Sequence, residues 1–268
     1  MSTIRLLACD LDGTLIGDDY TISPRVREAL QAARAQGVHV TLATGRSFPS
    51  TLPFARTLQI RTPLICYQGG LIQHPLSGEV LYRATMDRAI AEEAIALAHE
   101  RDWHLVLYVG EELYLEGFRW PLDFYHNLLG TRLRPVKDLR TALTEDPVKF
   151  LFVAEEPQAD EIERVLRQRF DQRIVIVRSH RLFVEGNPPG VSKGAALARL
   201  AALLKVPQEA VMAIGDQEND VTMLRWAGVG VAMENASPEA KAAADWIAPP
   251  LEADGVAVAV ERFVLRSP

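Results

Sequence analysis

The chain of 268 residues is poor in cysteine, with Cys9 and Cys66 as its only two. They are too few and too far apart for a zinc site, and both end apolar runs, where reduced, buried thiols are expected. An excess of positive charge is also missing. The 29 basic and 35 acidic residues give a net charge of −6, which argues against nucleic acid or an anionic membrane as a partner. No apolar run comes near the ~20 residues of a membrane-spanning helix. Asp10 and Asp12 interrupt the region where a signal peptide needs an unbroken apolar stretch. Internal repeats and low-complexity tracts are lacking, so solenoids and long disordered segments drop out. These absences predict a cytoplasmic globular protein, in which a disulfide between the two cysteines is disfavoured. A hydrophobic content of 48% with 24% charged residues is ordinary for such a chain. Its length suits one large domain with an insertion, or two unequal domains.

What the chain does have is a pair of acids where no core needs charge. Asp10-Leu11-Asp12-Gly13-Thr14 follows the apolar run Ile4 to Cys9 directly. If that run is a buried parallel strand, Asp10 and Asp12 lie at its carboxyl end, where open α/β sheets bind ligands. Gly13 lets the backbone turn sharply and approach an anion. Two carboxylates this close repel unless a cation bridges them or one holds a proton. A hard divalent ion such as Mg²⁺ meets the first condition with one or two carboxylates, water and substrate phosphate. On these five residues alone an Asp-Gly turn capped by Asp12 is an equal reading.

Ser23-Pro24 opens a helix with Val26, Ala29, Leu30 and Ala33 on one face, ending at Gln36-Gly37. A strand over 38–43 runs into Thr44-Gly45-Arg46. A helix over 52–58 leads to a strand over 64–67 and then to Gln68-Gly69-Gly70. This β-α-β-α-β order predicts a parallel sheet. From residue 82 helix-then-hairpin units take over: a helix over 87–101 with strands 104–109 and 112–116 turning at Gly110, then a strand over 148–153 and a helix over 157–170 with strands 174–177 and 182–185. A further helix is expected over 122–129. The βα pattern returns after Asn187-Pro188-Pro189-Gly190, with a helix over 192–204 and strands over 211–214 and 229–233. The fold class expected is therefore α/β: a Rossmann-like parallel core from residues 1–81 and 189–268, interrupted by an α+β cap over 82–188 with a largely antiparallel sheet.

Four polar segments fall at strand ends or on a neighbouring helix of that core: Asp10 to Thr14, Thr44 to Arg46, Ser192-Lys193-Gly194, and Gly215 to Asp220. Together they supply several carboxylates, a hydroxyl and one or two cations, the set that Mg²⁺-assisted phosphoryl transfer requires. In this order Asp-Leu-Asp-Gly-Thr, Thr-Gly-Arg, Gly-Val-Ser-Lys-Gly and Gly-Asp-x-x-Asn-Asp resemble the haloacid dehalogenase-like (HAD) phosphatases along the whole chain. The insertion between the second and third motifs is similar to that of subclass IIB, cap type C2B, and the layout resembles the Cof-type sugar-phosphate phosphatases.

The resemblance implies that Asp10 is a nucleophile that forms an aspartyl-phosphate, with Asp12 as general acid and then base. It implies that Thr44 donates to the phosphoryl group and that Lys193 offsets charge around it. The implied Mg²⁺ ligands are Asp10, Asp12 through its backbone carbonyl, and Asp216. Asp220 belongs to the same metal site and, if a helix begins at once, lies one turn beyond Asp216 to orient a metal-bound water or Lys193. Gly13, Thr14, Gly45, Arg46 and Asn219 are the implied phosphate or substrate contacts, and Glu218 is the solvated member. Plainer roles stand beside these: Thr44 as a helix cap, Arg46 paired with surface acids, and Lys193 as a solvated first-turn lysine, although the helix dipole disfavours it there. The chain departs from the Cof-type pattern in one place, carrying Gln68-Gly69-Gly70 where Asn-Gly is usual.

In the cap, Tyr108, Trp120, Tyr125, His126, Arg178, His180, Glu185 and Asn187 have chemistry suited to sugar hydroxyls or phosphate, with core packing or surface exposure as the plain alternative. Trp103 is expected in the cap core. The implied reaction is Mg²⁺-dependent hydrolysis of a small phosphorylated metabolite, sugar phosphates first, by a monomer or homodimer. Phosphoryl transfer to another hydroxyl, as in a phosphomutase, shares the same motifs. A receiver-like signalling module or a phosphometabolite-binding protein stands further off, because a switch must keep its phosphate whereas Asp12 should hasten its loss.

Overall fold

Leu6–Cys9 forms strand β1, and none of its four residues retains solvent-exposed surface. A strand buried on both faces reads as a continuous apolar run, as this one does. The computed structural model describes residues 3–130 and 132–265. After β1 come helix α1 (Pro24–Ala35), β2 (His39–Leu42), α2 (Phe48–Thr57), β3 (Leu64–Cys66), β4 (Leu71–Gln73) and β5 (Val80–Arg83). Then follow α3 (Arg88–Arg101), β6 (His104–Val109), β7 (Glu112–Leu115), α4 (Leu122–Leu128), β8 (Leu133–Pro135), β9 (Lys149–Val153), α5 (Gln158–Phe170), β10 (Val175–His180) and β11 (Phe183–Asn187). The chain closes with α6 (Lys193–Leu203), β12 (Val211–Gly215), α7 (Val221–Trp226), β13 (Val229–Met233), α8 (Pro238–Ala243), β14 (Trp246–Ala248) and α9 (Gly255–Phe263). Two compact units result: the described parts of Met1–Gly45, Thr51–Tyr82 and Ser192–Pro268 form one, and Arg46–Ser50 with Arg83–Val191 form the other.

The first unit is a parallel sheet in the order β14-β13-β12-β1-β2. Leu6 sits opposite Val211 on one side and His39 on the other. Ser23 opens α1 as expected, its hydroxyl accepting from the Val26 amide, and Val26, Ala29, Leu30 and Ala33 are buried. The strand over 64–67 behaves differently from the sequence reading. It meets the end of β2 only through the bridge Ala43–Ile65 and pairs antiparallel with β4. The cause is the turn between them: Tyr67, Gln68 and Gly69 take φ of 51°, 58° and 98°, which reverses the chain into a hairpin instead of sending it on to another helix. No helix among the described residues is long and apolar enough to cross a membrane.

The second unit is a sheet in the order β10-β11-β9-β6-β7-β8, antiparallel except where β8 lies parallel to β7. Alternation along each strand divides its residues between two faces. Leu105, Leu107, Phe150, Phe152 and Val184 pack against Ile95 and Ala98 of α3 and against Ile162, Leu166 and Phe170 of α5. Trp103 joins this core edge-on to Phe152, with ring centroids 5.8 Å apart. The alternate residues, among them Lys149, Glu185 and Asn187, belong to the opposite face.

Two cap candidates are spent on packing. Trp120 stacks on Phe124 and lies 5.5 Å from the His104 ring. The fully buried Tyr125 accepts from the Arg119 amide and lies 2.9 Å from His104 Nε2. That hydroxyl thus joins the Arg119 backbone to the His104 ring inside the core. Arg178 is similarly occupied, donating to Asp160 of α5 at 3.1 Å and to the carbonyl of Arg181 at 2.6 Å.

Burial depresses the His104 pKa to about 4, helped by the nearby Arg119 charge, whereas an unfolded histidine titrates near ~6.5. As pH falls, the unfolded chain therefore takes up this proton first. The contribution of neutral His104 to stability is complete above about pH 6.5 and is lost progressively towards pH 4. Urea unfolding at pH 6.5, 5.5 and 4.5 should show a steeper decline for wild type than for His104→Gln. Parallel declines would refute the assignment.

Candidate active site

The backbone amide of Asp10 donates to Ile214 of β12 at 2.9 Å, so the last rung of the sheet fixes the residue that leaves it. Asp10 is 4% exposed. The chain then turns at Gly13, φ +81°, where a Cβ would overlap the Asp216 carboxylate. Glycine is required here for two reasons, the left-handed backbone and the close approach. Thr14, fully buried, uses the turn to donate from Oγ1 to Asp216 Oδ1 at 2.8 Å.

Lys193 comes to Asp10 from a helix start. Ser192 caps α6, its hydroxyl accepting from Ala195, and Lys193 occupies the first turn with 1% exposure. Its Nζ donates to Asp10 Oδ1 at 2.7 Å and to Asp220 Oδ1 at 2.6 Å. A cation in a first helical turn opposes the dipole by up to ~1 kcal/mol, and two charge-assisted hydrogen bonds exceed that.

Asp220 reaches this position by a different route from the one its spacing implies. Residues 218–220 form a 3-10 turn and the α-helix begins only at Val221. Asp220 therefore acts as a cap: its Oδ2 accepts the backbone amides of Asp216 and Gln217 at 2.9 and 3.0 Å. The amides at the end of β12 are among the unpaired donors of a strand-to-helix turn, and this carboxylate satisfies them. Asp216 in turn accepts from Gln217 Nε2 at 2.8 Å. Oxygens of Asp10, Asp216 and Asp220 lie within 4.8 Å of one another.

The electrostatics follow from three buried acids around one ammonium. Burial, then the charges of Asp220, Asp216 and Asp12, raise the Asp10 pKa well above the carboxylate range against the opposing pull of Lys193. Asp216 is pushed to about 6 by burial and by Asp220, while its bonds from Gln217 and Thr14 work the other way. Burial acts against the Lys193 ammonium, but Asp10 and Asp220 outweigh it and hold its pKa above the ordinary lysine value.

The other sequence-predicted residues distribute unevenly. Thr44 is 1% exposed; its amide donates to Ile65 and its carbonyl accepts from Gln68 at 3.0 Å. Asp12 is exposed on the turn, and its carboxylate is not in the Asp10, Asp216 and Asp220 group. Gly45 lies against the Gln68 amide, and Asn219 donates to Gln68 Oε1 at 2.9 Å. Glu218 is exposed. Arg46, half-buried, falls in the other unit. Two contributors escaped the sequence reading: Gln217, and Asn235, whose Nδ2 donates to the Gly13 carbonyl at 2.8 Å. Asn235 carries the same signal as the four motifs, a polar residue just beyond the carboxyl end of a core strand.

Removing Asp220 leaves one buried amide, one partly buried amide and part of the Lys193 charge unpaired, a loss of ~3–5 kcal/mol for a broken buried pair, reduced by relief of its repulsion with Asp10 and Asp216. Asp220→Ala should lower the urea unfolding free energy by about 3 kcal/mol. A change below about 1 kcal/mol would contradict its role as the hub of this network.

Comparison with known proteins agrees with this geometry. The family model for haloacid dehalogenase-like hydrolases matches residues 7–260. The chain is 30% identical over 258 residues to the 5-amino-6-(5-phospho-D-ribitylamino)uracil phosphatase YitU of Bacillus subtilis, covering 94% of each. It is 31% identical over 258 residues to a phosphoglycolate phosphatase of Natronomonas pharaonis, covering 96% of each. Among solved structures, a haloacid dehalogenase-like hydrolase from Bacteroides thetaiotaomicron superposes with a TM-score of 0.87 at 32% identity, over 97% of this chain and 99% of that one. With acids at the end of β1, a lysine at the start of α6 and acids after β12 on one parallel sheet, the chain belongs to the haloacid dehalogenase-like hydrolases and is a Cof-type phosphatase, a phosphoric monoester hydrolase.

Proposed function

We propose that this phosphatase hydrolyses small phosphorylated metabolites, sugar and sugar-alcohol phosphates foremost, in a Mg²⁺-dependent reaction through an aspartyl-phosphate on Asp10. The observation that carries the reading is the pairing of Asp10 Oδ1 with Lys193 Nζ at 2.7 Å, at the carboxyl end of the central strand. It fixes one carboxylate oxygen, leaving the other to attack phosphorus.

Three buried carboxylates face a single ammonium, and the pKa of Asp10 rises accordingly. That excess of negative charge on hard oxygen donors fits a divalent cation of the Mg²⁺ type. Asp10, Asp216 and the Asp12 carbonyl would hold it, with Asp220 bracing Lys193 and the backbone of Asp216. Bound there, Mg²⁺ supplies positive charge that favours ionised Asp10 and offsets charge on the phosphoryl oxygens.

In the first step an Asp10 carboxylate oxygen bonds to phosphorus as the bond to the ester oxygen breaks, and Asp12 passes its proton to the departing alcohol. In the second, Asp12 takes a proton from water, whose oxygen bonds to phosphorus as the Asp10–phosphorus bond breaks, releasing inorganic phosphate. Thr44 donates its hydroxyl to a phosphoryl oxygen, and Lys193 stabilises the charge that accumulates there. Gly13, Thr14 and Gly45 shape the cradle. The exposure of Asp12 beside the buried Asp10 supports its role, because a proton carrier must reach both leaving alcohol and water.

YitU and the Natronomonas enzyme are nearly equal in identity to this chain, yet their names give different substrates. What those substrates share is a small phosphomonoester. Residues gathered on one sheet face of the second unit favour a polyol. Glu185 and Asn187, two apart on β11, share a face with Lys149, which bonds Glu185 at 2.5 Å and lies 4.8 Å from the Tyr108 ring centroid. Asn187 is 1% exposed, and neither end of its amide is hydrogen-bonded among the described residues. A carboxylate, a phenol and an open amide are the donors and acceptors that sugar hydroxyls pair with.

Phosphate release should be measured across a panel of sugar, sugar-alcohol and short-acid phosphates. EDTA should abolish turnover and Mg²⁺ restore it. Asp10→Asn should lower kcat at least ~10³-fold with the fold intact. Undiminished release from that variant would refute the nucleophile, and release unaffected by chelation would refute the metal. A panel in which sugar phosphates rank below phosphoglycolate by kcat/KM would overturn the substrate class.

A further inference from the structure

Gln68 stands where the family resemblance leads one to look for asparagine. It is 2% exposed, in the left-handed backbone region at φ 58° and ψ 21°, a conformation that costs a non-glycine residue free energy. Its surroundings are built around its longer side chain. At Gly45 a Cβ would overlap the Gln68 amide nitrogen, and at Gly69 a Cβ would overlap the Ser192 carbonyl. The Gln68 backbone is held by the Thr44 carbonyl at 3.0 Å, and its Oε1 accepts from Asn219 Nδ2 at 2.9 Å. The Asn219 Oδ1 is buried and has no hydrogen-bond partner among the described residues.

We infer that Gln68 is a positioning residue, which takes one of the two Asn219 N–H donors and so orients the amide to present Asn219 Oδ1 as an acceptor for a proton on the bound ligand. An unpaired buried carbonyl oxygen is costly and marks a place where something bound can satisfy it. Phosphate oxygens are themselves acceptors, so the partner is an O–H group, either water accompanying the phosphate or a hydroxyl of the leaving alcohol. One Asn219 N–H is thus committed to Gln68 within the protein. The inference rests on the phosphatase reading for its kinetic test but not for its spectroscopic one.

Kinetics of Gln68→Met, Asn219→Ala and the double variant test the pairing with two probes, p-nitrophenyl phosphate and glucose 6-phosphate, at saturating Mg²⁺. Each single variant should raise KM five- to tenfold with kcat changed less than twofold, the pattern of a lost binding contact. The double variant should be no worse than the worse single one, because both remove the same interaction. A rise with both probes identifies water as the donor, and a rise with glucose 6-phosphate alone identifies the sugar hydroxyl. Multiplicative losses, or a KM for glucose 6-phosphate that is unchanged in either single variant, overturn the pairing. Independently of turnover, the Asn219 side-chain amide should show slow hydrogen exchange in wild type and rapid exchange in Gln68→Met. Rapid exchange in wild type refutes the inference even if Gln68→Met fails to fold. Wild type inactive on all esters, with slow Asn219 exchange, would refute the proposed reaction and leave the pairing standing.

Discussion

The site depends on one buried ammonium. Lys193 bonds two carboxylates at once, Asp10 and Asp220, and these come from the two ends of the sequence. Without it, acids from β1 and from the turn after β12 would face each other at close range in a medium that screens poorly. With it, their repulsion becomes a bridge between adjacent strands. The placement of Lys193 is itself local: a serine cap, a first helical turn and a side chain pointing back along the helix to the strand ends.

Asp220 extends that bridge into the backbone. One oxygen takes the lysine, and the other takes two amides at the end of β12. A single carboxylate thereby links charge balance to the shape of the loop that carries Asp216. Thr14 and Gln217 complete the arrangement by donating to Asp216 from opposite sides in sequence. Lys193 holds Asp10 and Asp220 together while Thr14 and Gln217 hold Asp216, so several segments fix the geometry at once.

Much of this was legible because polar residues at the ends of apolar strands are costly and therefore informative. The four motifs, the cap of α1 and the Gly110 hairpin follow from short-range rules, and Val109 does pair with Glu112 across that turn. The sequence was silent where pairing is non-local or brief. The three-residue strands β4, β8 and β14 carry too few positions to show alternation, and β10 extends to His180 because its partner β11 gives it a ladder. The spacing of Asp216 and Asp220 suggested an α-helical turn, but a carboxylate that can cap two strand-end amides favours a tighter 3-10 turn. Arg46 illustrates a different limit: adjacency to Thr44 and Gly45 in sequence did not place it in their unit.

The pairing of β1 with both β2 and β12 also sets an order of events. Leu6 finds His39 soon after both are made, but its other neighbour is Val211, and synthesis proceeds at ~5–20 residues per second. The strand that carries Asp10 thus waits on the order of ten to forty seconds for its second partner, while the whole of Arg83–Val191 emerges and finds its own local contacts. During that interval Asp10 has neither Lys193 nor Asp220 beside it and sits in water as an ordinary ionised acid. The acid cluster has no way to form until the ammonium and the opposing carboxylates have been made, on the same late stretch of chain.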